Sequence, residues 1–200
     1  MRCRGSLLGL TLLAVAALGC SKRTADDVPV LNALPEFSLV DQDGEPFTRD
    51  SMEGSLWVSA FVFTHCRSTC PRLTAHMRGL QTRLSDVEAA NLVSVSVDPR
   101  NDTPEVIKAY MAKNELDERK WRFVTGDEKS IRHVVVDGFR VGLGDEDSKA
   151  AGAADIMHSN SFVLVDREAR VRGYYRADND GIADLERDLR ALAAALPPQH

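Results

Sequence analysis
The sequence predicts an α/β domain with a mixed central β-sheet flanked by helices. Two patterns carry this. Short β-rich apolar runs alternate with amphipathic helical stretches along most of the chain, the order expected when strands are joined by helical crossovers. The last two β-rich runs follow each other with only the turn-like Asp166-Arg167-Glu168 between them, so the sheet must also hold an antiparallel pair. Composition agrees. The 200 residues are 44% hydrophobic and 28% charged, an ordinary globular balance with enough chain for one sizeable core. A formal net charge of −5 with no basic cluster argues against nucleic acid as a partner.

The first twenty residues stand apart from the domain. Arg2 and Arg4 precede an uncharged apolar run at 7–18 (LLGLTLLAVAAL). That run is shorter than the roughly 20 residues a membrane-spanning helix needs, and it fits the apolar core of a secretory signal. It ends in Ala17-Leu18-Gly19-Cys20, which resembles a bacterial lipobox in which residues 1–19 are removed and Cys20 is lipidated. Lipidation of Cys20 leaves Cys66 and Cys70 as a single pair, which resolves the odd cysteine of an exported chain. Residues 20–34 then read as a lipidated polar tether and residues 35–197 as the domain. Acyl chains would hold the protein on a membrane surface without spanning it. The expectation is a lipid-anchored monomer in the bacterial cell envelope, outside the cytoplasmic membrane.

Within the domain, Phe37, Leu39 and Phe47 flank Asp43-Gly44, a hairpin signal. Residues 56–63 (LWVSAFVF) suit a strand buried on both faces. Leu73, Met77, Leu80 and Leu84 form one helical stripe, and residues 92–97 (LVSVSV) a second strand. Thr103 is a natural N-cap for a helix opening at Pro104 and running through Val106, Ile107, Tyr110 and Met111. Ile131, Val134 and Val135 suggest a shorter helix after Asp127, and residues 142–155, small and polar, a loop. Residues 161–165 (SFVLV) and 171–175 give the last strand pair. Ile182, Leu185, Leu189, Leu192 and Leu196 mark a closing helix, stopped by Pro197-Pro198. Trp57 and Trp121 read as core. This order is compatible with a thioredoxin-like layout, where chemistry sits at the junction of the first buried strand and its helix.

That junction reads FVFTHCRSTCP, residues 61–71. Cys66 and Cys70 should sit in a turn at a helix N-terminus, with Pro71 able to open the helix. The helix dipole there favours thiolate, and Arg67 between them adds positive charge. Low-pKa cysteines suit either metal ligation or disulfide exchange. Three intervening residues, against the two of thioredoxin-type oxidoreductases, leave room for both. A purely structural disulfide is a poor reading because so short a loop stabilises little. Among the histidines, His65 neighbours Cys66 but should point the other way. His76 reads as solvent-facing, His133 as structural or surface, and His200 is terminal. His158 ends the polar loop just before a strand, on the side that faces the cysteine turn in a thioredoxin-like layout.

The stretches FTHCRSTCP, SVSVDPRNDTPEVIKAY, WRFVTGD and MHSNSFVLVD, in this order and spacing, resemble the Sco/SenC proteins over nearly the whole mature chain. The resemblance implies a thioredoxin-like fold and one copper held by Cys66, Cys70 and His158. It also implies a role in assembling the binuclear copper site of cytochrome c oxidase, by delivering copper or by reducing that site's cysteines. The partner so implied is the copper-binding subunit of the oxidase. Two departures border the site: Arg67 and Ser68 stand where proline and an acidic residue are common, and residues 142–155 replace a tyrosine-bearing segment. Two sulfurs and an imidazole are a soft set suited to Cu(I) that also accepts Cu(II). Zinc competes, but structural zinc usually takes four protein ligands. Met157 is a candidate weak fourth ligand, and Asp98 either faces the site or caps its own turn. The reading is a copper metallochaperone, for oxidase assembly or related periplasmic copper handling, rather than a turnover enzyme. The alternative is a membrane-tethered thiol–disulfide oxidoreductase that cycles Cys66 and Cys70 as a redox-active pair. A peroxiredoxin is disfavoured, since neither cysteine is preceded by the Pro-x-x-x-Thr-x-x-Cys approach.

Overall fold
The computed structural model describes residues 23–143 and 160–195. Cys20 and the signal, Met157 and His158 with most of the 142–155 loop, and Leu196 with Pro197-Pro198 and His200 lie outside the described residues. A six-stranded sheet in the order β1 (Asn32–Ala33), β8 (Arg170–Arg176), β7 (Ser161–Val165), β4 (Leu56–Val62), β5 (Ala90–Ser96) and β6 (Trp121–Val124) forms the middle layer. Its centre is β4 (Leu56–Val62), buried at every residue as an apolar run covered on both faces must be. β4 pairs in parallel with β5 (Ala90–Ser96) and β5 with β6 (Trp121–Val124). On the other side β7 (Ser161–Val165) runs antiparallel to β4, and β8 (Arg170–Arg176) antiparallel to β7. The sheet is mixed, as the turn at residues 166–168 required.

Alternation along β4 divides the core in two. Leu56, Val58, Ala60 and Val62 meet the layer made by α1 (Cys70–Arg83), α2 (Pro104–Lys113) and the C-terminal helix. Trp57 and Phe61 meet the opposite layer, which is the hairpin of β2 (Ser38–Val40) and β3 (Pro46–Thr48) with a short helix α3 (Glu128–Arg132). The stripe on α1 is confirmed by Leu73, Met77 and Leu80, each at most 1% exposed. Thr103 caps α2 by accepting a bond from the Val106 N–H. Ile107 and Met111 are buried, but Val106 is 41% exposed. It precedes Ile107 by one residue and so lies about 100° off the buried line. Asp127 caps α3, which runs on as a π-helical turn over His133–Gly138 and buries Val134 and Val135. The closing helix α4 (Asn179–Ala194) is capped by Asp178, whose carboxylate accepts from the Gly181 N–H at 2.9 Å. Trp57 and Trp121 are both core, with their indole N–H groups bonded to Met52 O and Ser94 Oγ.

Two features differ from expectation. Trp121–Val124 is an edge strand, set in register on β5 from Leu92↔Trp121 onward. The second concerns the expected tether: residues 23–34 are packed onto the domain. Val28 is 1% exposed, and Asn32–Ala33 (β1) pairs antiparallel with β8. The Arg172 guanidinium donates to the backbone carbonyls of Ala25, Val28 and Pro29. Arg23 lies 2.5 Å from the buried carboxylate of Asp188. The packed domain therefore begins at least twelve residues before Pro35. A mostly polar sequence concealed this because the groups that hold it lie more than 100 residues away along the chain.

Candidate metal centre
The two cysteines sit where the central strand hands over to α1. After Val62 the chain turns, with the Cys66 N–H donating to Phe63 O at 3.3 Å, and Cys70 opens the helix with Pro71 just inside it. Thr69 O accepts from the Arg72 and Leu73 N–H groups at 3.1 Å. Pro71, which has no N–H, costs nothing at this position. The helix thus starts one residue earlier than Pro71 alone would set it, and this buries Cys70 against the core while Cys66 is half-buried. Both are free thiols.

Their environments split them. Burial pushes the Cys66 thiol up, but bonds from the Ser68 hydroxyl (3.5 Å), the Cys70 and Ser68 N–H groups and the Cys70 thiol outweigh it and bring it down to about 6. For Cys70 burial dominates; a bond from the Phe63 backbone offsets part of this, and the adjoining Cys66 thiolate adds to it, lifting the thiol to about 11. The sequence reading, which made both thiols acidic, holds for Cys66 and fails for Cys70, because depth outweighs the helix N-terminus. Arg67 is exposed, and the largest lowering effects on Cys66 come from Ser68 and Cys70. One thiolate is ready at neutral pH, and the second sulfur must lose a proton when it binds metal or closes a disulfide.

A buried carboxylate braces this turn. Asp102 is 0% exposed; it accepts from the Thr64 N–H at 3.1 Å, from Thr64 Oγ1 at 2.6 Å and from Ser96 Oγ at 2.6 Å. It thereby ties the segment leading to Cys66 to the end of β5. Asp102 was not singled out from the sequence, where it stands just before the Thr103 cap with no periodic signal of its own. Ser68 was legible only as a departure, although a hydroxyl two residues after a candidate thiolate is a hint. Tyr110 places its hydroxyl 2.9 Å from Thr74 Oγ1, on the face of α1 one turn beyond Cys70.

The remaining candidates fall as follows. His65 packs at a tilt against Phe63, with ring centroids 4.8 Å apart and planes 57° from parallel, and lies 3.3 Å from Asp98 Oδ2. Asp98 also accepts from the Asn101 side-chain amide at 2.9 Å, and its carbonyl accepts from the Asn101 and Asp102 N–H groups to close its own turn. His133 is exposed and bonded to Asp137. His76 is partly exposed on α1. Among the described residues no group of three His, Cys, Asp or Glu side chains is placed to hold a metal ion. His158 belongs to the 144–159 stretch outside them, but both flanks of that stretch lie at this end of the sheet. Leu143 lines a cleft with Val97, Asp98 and Pro99. Asn160 takes a bond from Arg72, two residues past Cys70, at 3.4 Å.

Comparison with known proteins bears directly on this geometry. The SCO1/SenC family model matches residues 28–194. The chain belongs to the SCO1/SenC family. It is 30% identical over 193 residues to the SCO1 protein homolog of Bacillus subtilis, covering 95% of this chain and 96% of that one. Its fold is similar to that of a SCO1/SenC family lipoprotein from Bacillus anthracis, with TM-score 0.69 and 32% identity over 82% of this chain and 97% of the other. BsSco, a Sco-family cytochrome c oxidase assembly protein described with a disulfide switch, matches at TM-score 0.70 and 28% identity over 84% and 97% of the chains. ScoI of Bradyrhizobium japonicum with copper bound matches at TM-score 0.60 and 26% identity over 78% and 98%. The family match begins at Val28, inside the N-terminal segment that packs on the domain. The thioredoxin-like fold expected from the sequence is that of these Sco structures.

Proposed function
We propose that this SCO1/SenC protein binds one copper ion through Cys66, Cys70 and His158 and serves as a copper metallochaperone. Its recipient is the copper-binding subunit of cytochrome c oxidase, whose binuclear copper site it helps to assemble. The observation that carries the reading is the free Cys66–Cys70 pair in a half-open turn at the end of the central strand, with one sulfur held as thiolate. Two sulfurs at a helix N-terminus fit a soft cation such as Cu(I). A third ligand from the 144–159 stretch is favoured by the anchoring of Leu143 and Asn160 at the same end of the sheet. Copper in this account is cargo. Cys66 meets it as thiolate, Cys70 releases a proton to join, and the exposed side of the turn leaves room for a partner's thiol to take over a ligand position. Support from relatives comes from copper-bound ScoI and from the oxidase-assembly role of BsSco.

The same reading places residues 1–19 as a removed signal, Cys20 as a lipidated N-terminus and the domain in the bacterial cell envelope. The lipoprotein from Bacillus anthracis supports it. Among the described residues no helix is long and apolar enough to cross a membrane, so attachment on this reading rests on the lipid.

A second activity is favoured by the split between the thiols. Cys66, acidic and accessible, has the character of an attacking nucleophile, and Cys70, buried and basic, that of a resolving thiol. Cys66 thiolate would attack a recipient disulfide and displace one of its sulfurs, forming a mixed disulfide. Cys70, after losing its proton, would then attack Cys66 Sγ and free the second. Two electrons pass to the recipient and the pair ends as a disulfide. Mixing copper-loaded protein with the metal-free, reduced copper domain of the host oxidase tests the main reading, by metal content of the separated proteins. Movement of copper to the recipient is expected. Retention of copper here, with reduction only of a disulfide form of the recipient, would leave the oxidoreductase as the function.

A further inference from the structure
The N-terminal strap has features that neither the copper site nor the core uses. Arg23 is fixed on Asp188 of α4, through contacts of 2.5 and 3.1 Å to a carboxylate that also accepts from the Tyr175 hydroxyl at 2.8 Å. From there the chain passes Ala25, which shares a cleft with Leu56 and Leu192. It is clamped by Arg172 and joins the sheet edge at β1. Leu56 begins the central strand and Val62 ends it next to the cysteine turn. At about 3.3 Å per residue those ends lie roughly 20 Å apart. The strap is therefore held at the end of the sheet away from Cys66. Between its Pro29 and β1 stand Val30 and Leu31, 51% and 49% exposed, two consecutive large apolar side chains that the domain leaves uncovered.

We infer that this strap is a bilayer-contact surface that holds the domain in one orientation, with Val30 and Leu31 toward the lipid and the Cys66–Cys70 turn away from it. The orienting part rests on the reading of Cys20 as the lipidated residue. Cys20 and the fixed Arg23 are three residues apart, a span of at most about 11 Å when fully extended. A leash that short keeps Arg23 close to the membrane surface and limits how far the domain can tilt. It draws the α4–β1 side, with the Val30-Leu31 pair, onto the membrane surface. The pair is then an apolar contact that adds to the acyl chains, in the way a second weak signal firms up a lipid anchor. The consequence for function is a geometric filter: a recipient must present its copper ligands from its own position above the bilayer, to a turn that does not come down to meet them.

The test uses the full mature chain, purified from the membrane and reconstituted into vesicles of phosphatidylethanolamine and phosphatidylglycerol carrying an energy-transfer acceptor on the headgroup. A donor is introduced through an unnatural amino acid at exposed Asp26 on the strap or at exposed Arg100, which follows β5 at the cysteine end. Transfer should be severalfold stronger from position 26 than from position 100. A Val30→Asp/Leu31→Asp variant with a flexible Gly/Ser insertion between Lys22 and Arg23 should bring the two toward equality. Equal transfer in the unaltered chain, or stronger transfer from position 100, overturns the orientation. A Val30→Asp/Leu31→Asp change that leaves the pattern intact overturns the apolar contact. If that change instead dissociates a dimer in sedimentation, the pair faces a second copy and the proposal fails. Mass spectrometry of residue 20 separates the underlying reading. If no lipid is found, the orienting leash falls, and co-flotation of the unlipidated chain with the same vesicles decides the strap alone: flotation abolished by Val30→Asp/Leu31→Asp keeps it, and no flotation rejects it.

Discussion

Replacing Asp102 with alanine should unfold the brace under the copper turn at a calculable cost. The carboxylate is fully buried and accepts from three donors, the Thr64 N–H, the Thr64 hydroxyl and the Ser96 hydroxyl. A hydrogen bond to a charged group contributes about 1.5–3 kcal/mol, and a buried donor stranded without a partner costs about 1–3 kcal/mol. The two hydroxyls can rotate toward other acceptors, but the Thr64 N–H cannot. A net loss of about 3–5 kcal/mol follows, a large share of the roughly 5–15 kcal/mol that holds a typical domain. With a urea slope near 2 kcal/mol per molar, the unfolding midpoint should fall by about 1.5–2.5 M. Thr64 stands two residues before Cys66, so the same variant should also blur the Cys66 environment and raise the pH at which its thiol reacts. Asp102→Asn keeps one acceptor and should do less on both counts. A midpoint shift below about 0.5 M for Asp102→Ala would refute the assignment of Asp102 as the brace.

Other outcomes follow from the same structure. Alkylation by iodoacetamide should show one thiol whose rate rises with pH through about 6 and then levels, because only thiolate reacts, while the second stays silent until pH approaches about 11. Ser68→Ala removes a donor to Cys66 and should move the first step upward; an unchanged profile would contradict the assigned cause. Arg172→Ala should cost about 3 kcal/mol in urea unfolding, since buried Asp166 keeps only Arg170 as a charged partner, beside the Glu168 and Arg170 N–H groups, and hydrogen exchange should quicken across residues 25–33; unchanged exchange would show that the strap holds without it. Met77→Ala empties a fully buried position on α1 and should cost about 2–5 kcal/mol while leaving copper stoichiometry at one. Lost copper in a still-folded Met77→Ala protein would mean that the site depends on core packing in a way this account does not contain.

What could be read in advance tracks how local the cause was. The apolar run of β4, the stripe on α1, the Thr103 cap, the short helix after Asp127 and the Asp43-Gly44 hairpin are each written within a dozen residues, and each is present. β6 was missed because Trp121–Val124 is only four residues long and gains its strand geometry from the template of β5. The strap was missed because its stabilising groups, Arg172 and Asp188, come from the far end of the chain. At the site, the Cys66–Cys70 pair and its turn were legible from spacing and from Pro71. The inequality of the two thiols was not, since burial of Cys70 and the position of the Ser68 hydroxyl belong to the folded state. Asp102 carries no signal of its own in the sequence beside the Thr103 cap, yet in the fold it links that segment to the cysteine turn.

Copper titration of the reduced chain from residue 21 to 200, beside a His158→Ala variant, tests most directly whether Cys66, Cys70 and His158 form a copper site. Metal content after gel filtration and the thiolate-to-copper absorption of the Cu(II) form are read together. One tightly held copper per chain is expected, lost or sharply weakened in His158→Ala. Copper held equally by both proteins would remove His158 from the site. Copper held by neither, with a Cys66–Cys70 disulfide that exchanges freely, would contradict the metallochaperone reading itself.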